Sequence, residues 1–211
     1  MNYLEERIKK DGKAIGDNIL KVGSFLNHQV DPILMEKIGK DFAEHYKDYG
    51  ITKVFTIESS GIAPAVFVAR ELNVPMVILK KSKSKTLSDN TYHARVHSFT
   101  KNNDYDLVVS KDFVNEDDNV LIIDDFLAEG EAAFGAIKLV LDGNASVAGV
   151  GIVIEKTFQP GRKKLDDAGI DVYSIARVSS LSDGIEFVQK NSKNIKVKLL
   201  NKWNMWYNEY I

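Results

Sequence analysis

Two adjacent aspartates, Asp124 and Asp125, come directly after four apolar residues at 120–123 that predict a buried strand. Carboxylates at the end of a buried strand repel each other and lose hydration, so the pair is disfavoured unless a ligand uses it. Vicinal ribose hydroxyls, which each donate a hydrogen bond, and a hydrated Mg²⁺ ion are suitable partners. The alternative interpretation is an aspartate that caps a helix beside a second, solvated aspartate.

The segment that follows the aspartates has the features of a phosphate site. Gly130 lies near the predicted start of a helix, where backbone N–H groups have no partner within the helix and can point at an anion. Carboxylates for a sugar and amides for its phosphate, a few residues apart, predict a site for ribose 5-phosphate.

Two further predicted strands end in polar residues, at 58–61 (ESSG) and at Glu155 with Lys156. Ligands of open α/β sheets bind beyond the carboxyl ends of the strands, so these residues are candidates for the same site. For Ser60 the alternative is a helix N-cap, and for Lys156 it is a surface lysine whose aliphatic stem covers apolar side chains.

The elements that must position these residues are predicted to be alternating strands and helices. Several strands are nearly continuous apolar runs, which is typical of a parallel sheet covered by helices on both faces. The predicted strands span 53–57, 74–79, 120–123, 147–154 and 171–178, the last of which ends the main sheet. The predicted helices span 4–10, 62–72 and 130–141, with another that begins after Asp31 and ends at Gly50. A polar, Lys-rich loop is predicted at 80–90, and a hairpin at 91–99 and 106–110.

Composition excludes several classes of protein. The 211 residues include no cysteine, which excludes a disulfide framework, a zinc ribbon, an iron–sulfur centre and a thiol nucleophile. A formal net charge of -2 leaves no basic surplus for a nucleic-acid backbone. No apolar run approaches the ~20 residues of a membrane span, so we predict a cytoplasmic protein with neither nucleic acid nor a membrane as partner.

The segment LIIDDFLAEGEA at 121–132 resembles the phosphoribosyl pyrophosphate (PRPP) motif of the type I phosphoribosyltransferases. Further segments resemble the bacterial members of this family that act on xanthine. They are LKVGSFLNHQVDP at 20–32, TIESSGIAPAV at 56–66, SKTLSDN at 84–90, HSFTK at 97–101 and VGIVIEKTFQPGR at 150–162. Together they cover most of residues 1–190.

This resemblance implies the α/β type I phosphoribosyltransferase fold, in which helices flank a central, mainly parallel sheet. A small N-terminal hood is expected at about 12–35 and a flexible β-hairpin lid at about 80–110, within a single domain at 1–190. Residues 191–211 would be a C-terminal extension. The implied reaction transfers the phosphoribosyl group of PRPP to N9 of xanthine, which yields xanthosine 5'-monophosphate and pyrophosphate. Mg²⁺ would be bound mainly through PRPP and pyrophosphate without direct protein ligands, and the protein would be a homodimer.

The resemblance also assigns roles to individual residues. Asp124 and Asp125 would hold the ribose hydroxyls as the catalytic pair. Xanthine would be contacted by Leu20, Asn27 and Lys156, the 5'-phosphate by Ala128, Glu129, Gly130, Glu131 and Ala132, and pyrophosphate by Ser59, Ser60, Gly61 and the lid lysine Lys81. Lys83 and Lys85 are further lid lysines, and the alternative for all three is a solvated face.

The phosphate loop departs from the common family pattern, because Glu129, Glu131 and Ala132 replace a hydroxyl residue and a second glycine. Since carboxylates beside a phosphate would repel it, we expect both glutamates to point outward and backbone N–H groups at 130–132 to hold the phosphate. His93 and His97 are interpreted as structural.

Two alternative functions use the same fold. One is a phosphoribosyltransferase for hypoxanthine, guanine or adenine. The other is a transcription regulator that senses PRPP. Such a regulator needs a helical DNA-binding module ahead of the fold, whereas the residues before the predicted strand at 53–57 are already used by the hood and a helix. The near-neutral charge of the chain also counts against DNA binding.

Overall fold

The computed structural model describes residues 1–82, 90–98 and 103–189, in which helices and strands alternate. The helices are α1 (Tyr3–Asp11), α2 (Pro32–Tyr46), α3 (Ile62–Leu72), α4 (Glu131–Asp142) and α5 (Gly161–Asp167), with a π-helical turn at Gly23–Asn27 and a 3-10 turn at Lys111–Phe113. The strands are β1 (Lys13–Ile15), β2 (Ile19–Lys21), β3 (Lys53–Ile57), β4 (Met76–Ser82), β5 (Thr91–Ser98), β6 (Asn103–Ser110), β7 (Asn119–Leu127), β8 (Ser146–Lys156), β9 (Val172–Ser180) and β10 (Glu186–Phe187).

Within these described ranges, eight strands form one sheet in the order β10-β9-β8-β7-β3-β4-β6-β5. The central strands β9, β8, β7, β3 and β4 are parallel to one another, while β10 pairs antiparallel with β9, and β6 and β5 pair antiparallel beyond β4. β1 and β2 form a separate hairpin. Because the central strands share a direction, the segments after β3, β7 and β8 all lie at the carboxyl end of the parallel strands. The predicted α/β fold with a mainly parallel sheet is confirmed.

Apolar side chains of the central strand β7 alternate between two cores. Leu121 and Ile123 pack with α2 and α3 on one face, and Val120 and Ile122 pack with α4 on the other. Both faces of the sheet are therefore covered, as the continuous apolar runs predict.

The hairpin of β5 and β6 packs closely against α4 at Gly135. A Cβ atom at this glycine would lie 2.5 Å from Val96 Cγ2 and 3.1 Å from Leu107 Cδ1, so only a glycine allows this approach. The contact brings hairpin residues to the start of α4, next to the predicted phosphate loop.

Helix α2 begins as predicted but ends earlier. Asp31 Oδ1 accepts hydrogen bonds from the N–H groups of Ile33 (3.0 Å) and Leu34 (3.2 Å). The helix ends at Tyr46, where a turn closed by Tyr49 N–H and Tyr46 O (3.0 Å) follows, so the prediction that Gly50 caps it was wrong.

Other boundaries also differ from the predictions. β4 begins at Met76 and extends to Ser82, because Lys80 to Ser82 pair with β6 instead of starting a loop. β10 pairs beyond β9, so 171–178 is not the last strand, and α5 was not predicted. The remainder of the predicted loop at 83–89, with Lys83 and Lys85, and the predicted extension at 191–211 lie outside the described residues. None of the helices in the described part of the chain is long and apolar enough to cross a membrane.

Candidate active site

The aspartate pair lies inside strand β7 rather than after it. Asp124 and Phe126 continue the ladder with Ile152 and Ile154 of β8, so the prediction that the strand ends at residue 123 was wrong. Backbone hydrogen bonding accommodates the polar side chains because it does not depend on their type. Helix α4 begins only at Glu131, which excludes the interpretation of either aspartate as its cap.

The two carboxyl groups are held in an environment that disfavours their charge. Asp124 is only 8% exposed, and its Oδ1 accepts a hydrogen bond from Asp125 N–H (2.9 Å). Burial and the neighbouring charge of Asp125 raise the pKa of Asp124 well above its usual range. Burial also raises the pKa of Asp125, against the opposing effect of hydrogen bonds from Asp124 and Asn27. A ligand that supplies hydrogen-bond donors or positive charge would relieve this cost.

The predicted phosphate loop connects β7 to α4 and borders a pocket of about 140 Å³. Gly130 has a φ of 90° at the start of α4, a conformation that favours glycine and leaves the first N–H groups of the helix without helical partners. The pocket is lined by residues 128–133 together with His97, Tyr105, Asp124, Phe126 and Leu127. The loop and the aspartate therefore share one cavity.

The two glutamates of this loop are partly exposed, and both lie near one cation. Lys164 Nζ is 3.0 Å from Glu131 Oε1 and 4.0 Å from Glu129 Oε2. The side chains of Glu131 and Glu129 are 38% and 29% exposed, respectively.

The predicted pyrophosphate loop after β3 packs directly against the aspartates. A Cβ atom at Gly61 would overlap Thr56 Oγ1 and would lie 3.2 Å from Asp124 Oδ1. The peptide bond between Glu58 and Ser59 is cis. No described side chain caps α3, whose first residue follows Gly61, so the interpretation of Ser60 as its cap was wrong.

Lys81 of β4 lies near Tyr105, which lines the same cavity. Its backbone N–H donates to Glu58 Oε1 (2.5 Å), which connects β4 to the turn after β3. Its Nζ lies 5.2 Å from the centre of the Tyr105 ring, and its positive charge lowers the pKa of Asp124. Burial and the charge of Asp124 in turn raise the pKa of Tyr105 to about 12.

The residues predicted to contact the base lie where the N-terminal segment meets the sheet. Lys156 Nζ donates to Asn18 O (2.7 Å) and lies 5.5 Å from the centre of the Phe126 ring, and burial lowers the pKa of Lys156. Leu20 is 6% exposed at the centre of β2, and Asn27 reaches Asp125. The structure thus brings Lys156 next to the β1–β2 hairpin and Asn27 next to the aspartates.

Several residues at this site were not predicted from the sequence. Tyr105 and His97 line the pocket because β5 and β6 pack on α4, and the interpretation of His97 as structural stays a prediction. Asn18 lies in an ordinary turn, and Lys164 lies within α5, a helix that was not predicted. For Phe126, the only local signal was its spacing of two residues from Asp124, which places both side chains on the same face of the strand. The others depend on strand order, which no local pattern contains.

Residues 28–189 match the family model described as "Phosphoribosyl transferase domain". The match covers well over half of the chain, and the chain belongs to the phosphoribosyltransferase family.

Curated relatives narrow the similarity to one group. The chain is 57% identical over 192 residues to xanthine phosphoribosyltransferase of Agathobacter rectalis, with 90% of this chain and 100% of the relative covered. It is 60% identical over 190 residues to xanthine phosphoribosyltransferase 1 of Clostridium botulinum, with the same coverage. These similarities confirm the resemblance to the xanthine group that the sequence motifs indicated.

Solved structures confirm the type I fold. Adenine phosphoribosyltransferase from Thermoanaerobacter pseudethanolicus superposes with a TM-score of 0.67 at 24% identity, covering 82% of this chain and 99% of that one. Adenine phosphoribosyltransferase from Trypanosoma brucei, in complex with AMP, pyrophosphate and ribose-5-phosphate, has a TM-score of 0.69 at 20% identity, covering 83% and 80%. At this identity the comparison concerns the fold alone.

Proposed function

We propose that this protein transfers the phosphoribosyl group of PRPP to N9 of xanthine and releases pyrophosphate. The proposal rests on one observation: three segments come together at the carboxyl end of the parallel strands. The aspartates of β7, of which Asp124 is buried, adjoin the turn at Gly61 and the loop at 128–132 there. This adjacency suits a ribose with its 5'-phosphate at the loop and its pyrophosphate at the turn.

In this proposal the aspartates accept hydrogen bonds from the 2'- and 3'-hydroxyls of the ribose. Because the Asp124 carboxyl group is already buried and Asp125 is only partly exposed, binding of PRPP removes little further water from the pair. Backbone N–H groups at the start of α4 bind the 5'-phosphate, and the turn at 59–61 with Lys81 binds the pyrophosphate. N9 of xanthine then bonds to the anomeric carbon as the bond from this carbon to pyrophosphate breaks. The transition state is oxocarbenium-like, and the protein contributes positioning and electrostatic stabilisation.

The residues present fit a Mg²⁺ ion that is held mainly by the substrate. The two adjacent carboxylates of Asp124 and Asp125 can accept hydrogen bonds from its hydration shell. Within the described ranges, no group of three or more His, Cys, Asp or Glu side chains is arranged to hold a metal by itself. When bound, the ion would neutralise negative charge on the pyrophosphate.

Lys156 carries the proposed selection of an oxopurine. Its ammonium group donates hydrogen bonds and accepts none, which suits the 6-oxo and N7 acceptors and not an exocyclic amine. Preference for xanthine over guanine would require a further donor that faces the 2-oxo group. A buried donor left opposite an amine would cost about 1 to 3 kcal/mol. We propose no dedicated base, because xanthine is itself fairly acidic.

The test is a pyrophosphate-release assay with PRPP, Mg²⁺ and each purine in turn. Xanthine should give the highest kcat/KM, above guanine and hypoxanthine, and adenine should give the lowest. A higher kcat/KM with guanine or hypoxanthine would replace the proposed substrate, and no turnover with any base would exclude the enzyme. Sedimentation analysis of the same sample tests the homodimer that the resemblance implies.

A further inference from the structure

The loop proposed to bind the 5'-phosphate carries an unfavourable concentration of negative charge. Glu129 and Glu131 flank Gly130, and Asp124 lines the same pocket. A phosphate ester that enters this pocket adds nearly two more negative charges. At separations of a few ångströms such charges repel each other appreciably even in a partly solvated site.

Lys164 is placed to counter this charge. Its Nζ lies 3.0 Å from Glu131 Oε1 and 4.0 Å from Glu129 Oε2, so a single ammonium group contacts both loop carboxylates. Of the lysines and arginines in the described part of the chain, Lys164 is the one within 4.0 Å of either glutamate.

The helix that carries Lys164 is attached to the loop through its backbone. Gly161 N–H, at the start of α5, donates to Ala128 O (2.9 Å). A Cβ atom at Gly161 would overlap Ala128 O and would lie 2.8 Å from Gly130 N, so the two glycine-containing segments are in direct contact. The position of Lys164 relative to the loop is therefore determined by backbone contacts as well as by the ion pairs.

The other side of α5 is anchored to the sheet. Arg162 Nη1 lies 3.2 Å from Glu155 Oε2, whose carboxylate is completely buried, and Leu165 is also completely buried. This anchoring keeps the backbone of α5 in place when the Lys164 side chain is changed. A variant of Lys164 therefore tests the electrostatic role of its side chain without changing the fold.

We propose that Lys164 is a positioning residue for the 5'-phosphate: it neutralises Glu129 and Glu131 and holds their carboxylates away from the anion. The inference rests on the proposed function, since the phosphate is that of PRPP. It explains how a loop with two glutamates can serve an anionic substrate.

The test is a charge-rescue experiment with four variants: Lys164→Met, Lys164→Arg, the double variant Glu129→Gln with Glu131→Gln, and the combination of this double variant with Lys164→Met. The readouts are the dissociation constant for ribose 5-phosphate, measured by calorimetry, and the KM values for PRPP and xanthine. Ribose 5-phosphate binding needs no turnover, so it reports on the loop even if the reaction assay fails.

Lys164→Met should weaken ribose 5-phosphate binding and raise the KM for PRPP by about three- to tenfold, because two carboxylates beside the phosphate lose their counter-ion. The KM for xanthine and the Tm should change little, since ion pairs this exposed contribute little to stability. Lys164→Arg should retain wild-type affinity. The defect should shrink at high salt, where charges on the surface are screened.

Rescue decides the question. In the background with both glutamines, Lys164→Met should cause no further loss of ribose 5-phosphate affinity. An equal loss in both backgrounds would overturn the proposal, because Lys164 would then act on the phosphate itself or on the fold. Wild-type affinity in Lys164→Met alone would overturn it as well. Absence of turnover by the wild-type protein would exclude the proposed reaction while the binding measurements still test Lys164.

Discussion

Replacing Asp124 with asparagine should abolish most activity without destabilising the protein at neutral pH. The change removes one negative charge but keeps an oxygen that can accept the 2.9 Å hydrogen bond from Asp125 N–H. Loss of one preorganised electrostatic contact in an active site typically lowers kcat by about 100- to 1,000-fold. We expect a loss of that size in pyrophosphate release, with a native circular dichroism spectrum.

The effect on stability follows from the raised pKa of Asp124. A carboxyl group whose folded-state pKa lies above its unfolded value of about 4 binds more protons in the folded state across the interval between the two values. The free energy of unfolding therefore falls as pH rises through that interval, by at most about 1.4 kcal/mol per pH unit for one proton. Asp125, whose pKa is also raised, acts in the same direction.

The measurement is urea unfolding without PRPP or Mg²⁺ between about pH 5 and pH 8. Asp124→Asn should lose part of the decline seen in the wild-type protein and should equal or exceed its stability at the upper end. A variant that is clearly less stable than wild type at pH 8, or one with an unchanged pH slope, would refute the reasoning that burial of charge dominates here.

Asp171 provides a control in which the pH dependence of stability has the opposite sign. The nearby His45, whose Nε2 lies 3.8 Å from Asp171 Oδ2, is the main cause that holds the pKa of Asp171 below its usual value, and Tyr49 OH also donates a hydrogen bond to Asp171 (2.9 Å). Ionised Asp171 therefore stabilises the fold above the unfolded pKa, and this contribution is lost as pH falls through the folded pKa. Asp171→Asn should be less stable than wild type at pH 7, and the difference should diminish below about pH 4. A difference that does not change with pH would point to packing instead of charge.

Three further predictions concern the base site, the pyrophosphate turn and the core. Lys156→Met keeps an apolar stem but removes the ammonium donor. Steady-state kinetics should therefore give a KM for xanthine that is raised about tenfold or more and a KM for PRPP that is nearly unchanged. Equal increases in both KM values would contradict a base contact. Gly61→Ala should reduce both kcat and stability, because the Cβ atom of the alanine overlaps Thr56 Oγ1. Chemical unfolding should give a loss of about 1 to 3 kcal/mol in the free energy of unfolding. An active variant with wild-type stability would indicate that the turn can shift. Tyr46→Phe removes the buried hydrogen bond from Tyr46 OH to Val150 O (3.0 Å). Urea unfolding should give a free energy of unfolding lowered by about 1 to 2 kcal/mol, with kcat unchanged. A loss of activity in the folded variant would contradict a purely structural role for Tyr46.

Much of the local structure could be predicted from the sequence. β3 at Lys53–Ile57 and α3 at Ile62–Leu72 coincide with their predicted bounds, and the cap at Asp31 is present. Apolar periodicity, turn residues and capping residues act over a few neighbours, so they can be recognised in a linear sequence.

Errors arose where tertiary pairing extended or created an element. β7 continues through Asp124 and Asp125 because β8 offers hydrogen-bonding partners, and β4 continues through Lys80 for the same reason. Side-chain polarity at 124–125 suggested the end of a strand, although the ladder is formed by backbone groups. The short helix α5 contains only seven residues, too few for a clear periodic pattern.

By itself, the sequence determined the alternation of strands and helices, the acidic pair and the glycine that the phosphate loop needs, because these depend on residue type and local spacing. Only the tertiary structure decided which side chains meet. It places Lys156 against Asn18, Tyr105 beside Lys81, and Lys164 on Glu129 and Glu131. Such contacts join residues far apart in the chain, and they depend on strand order, register and the packing of one element on another, which local patterns do not encode.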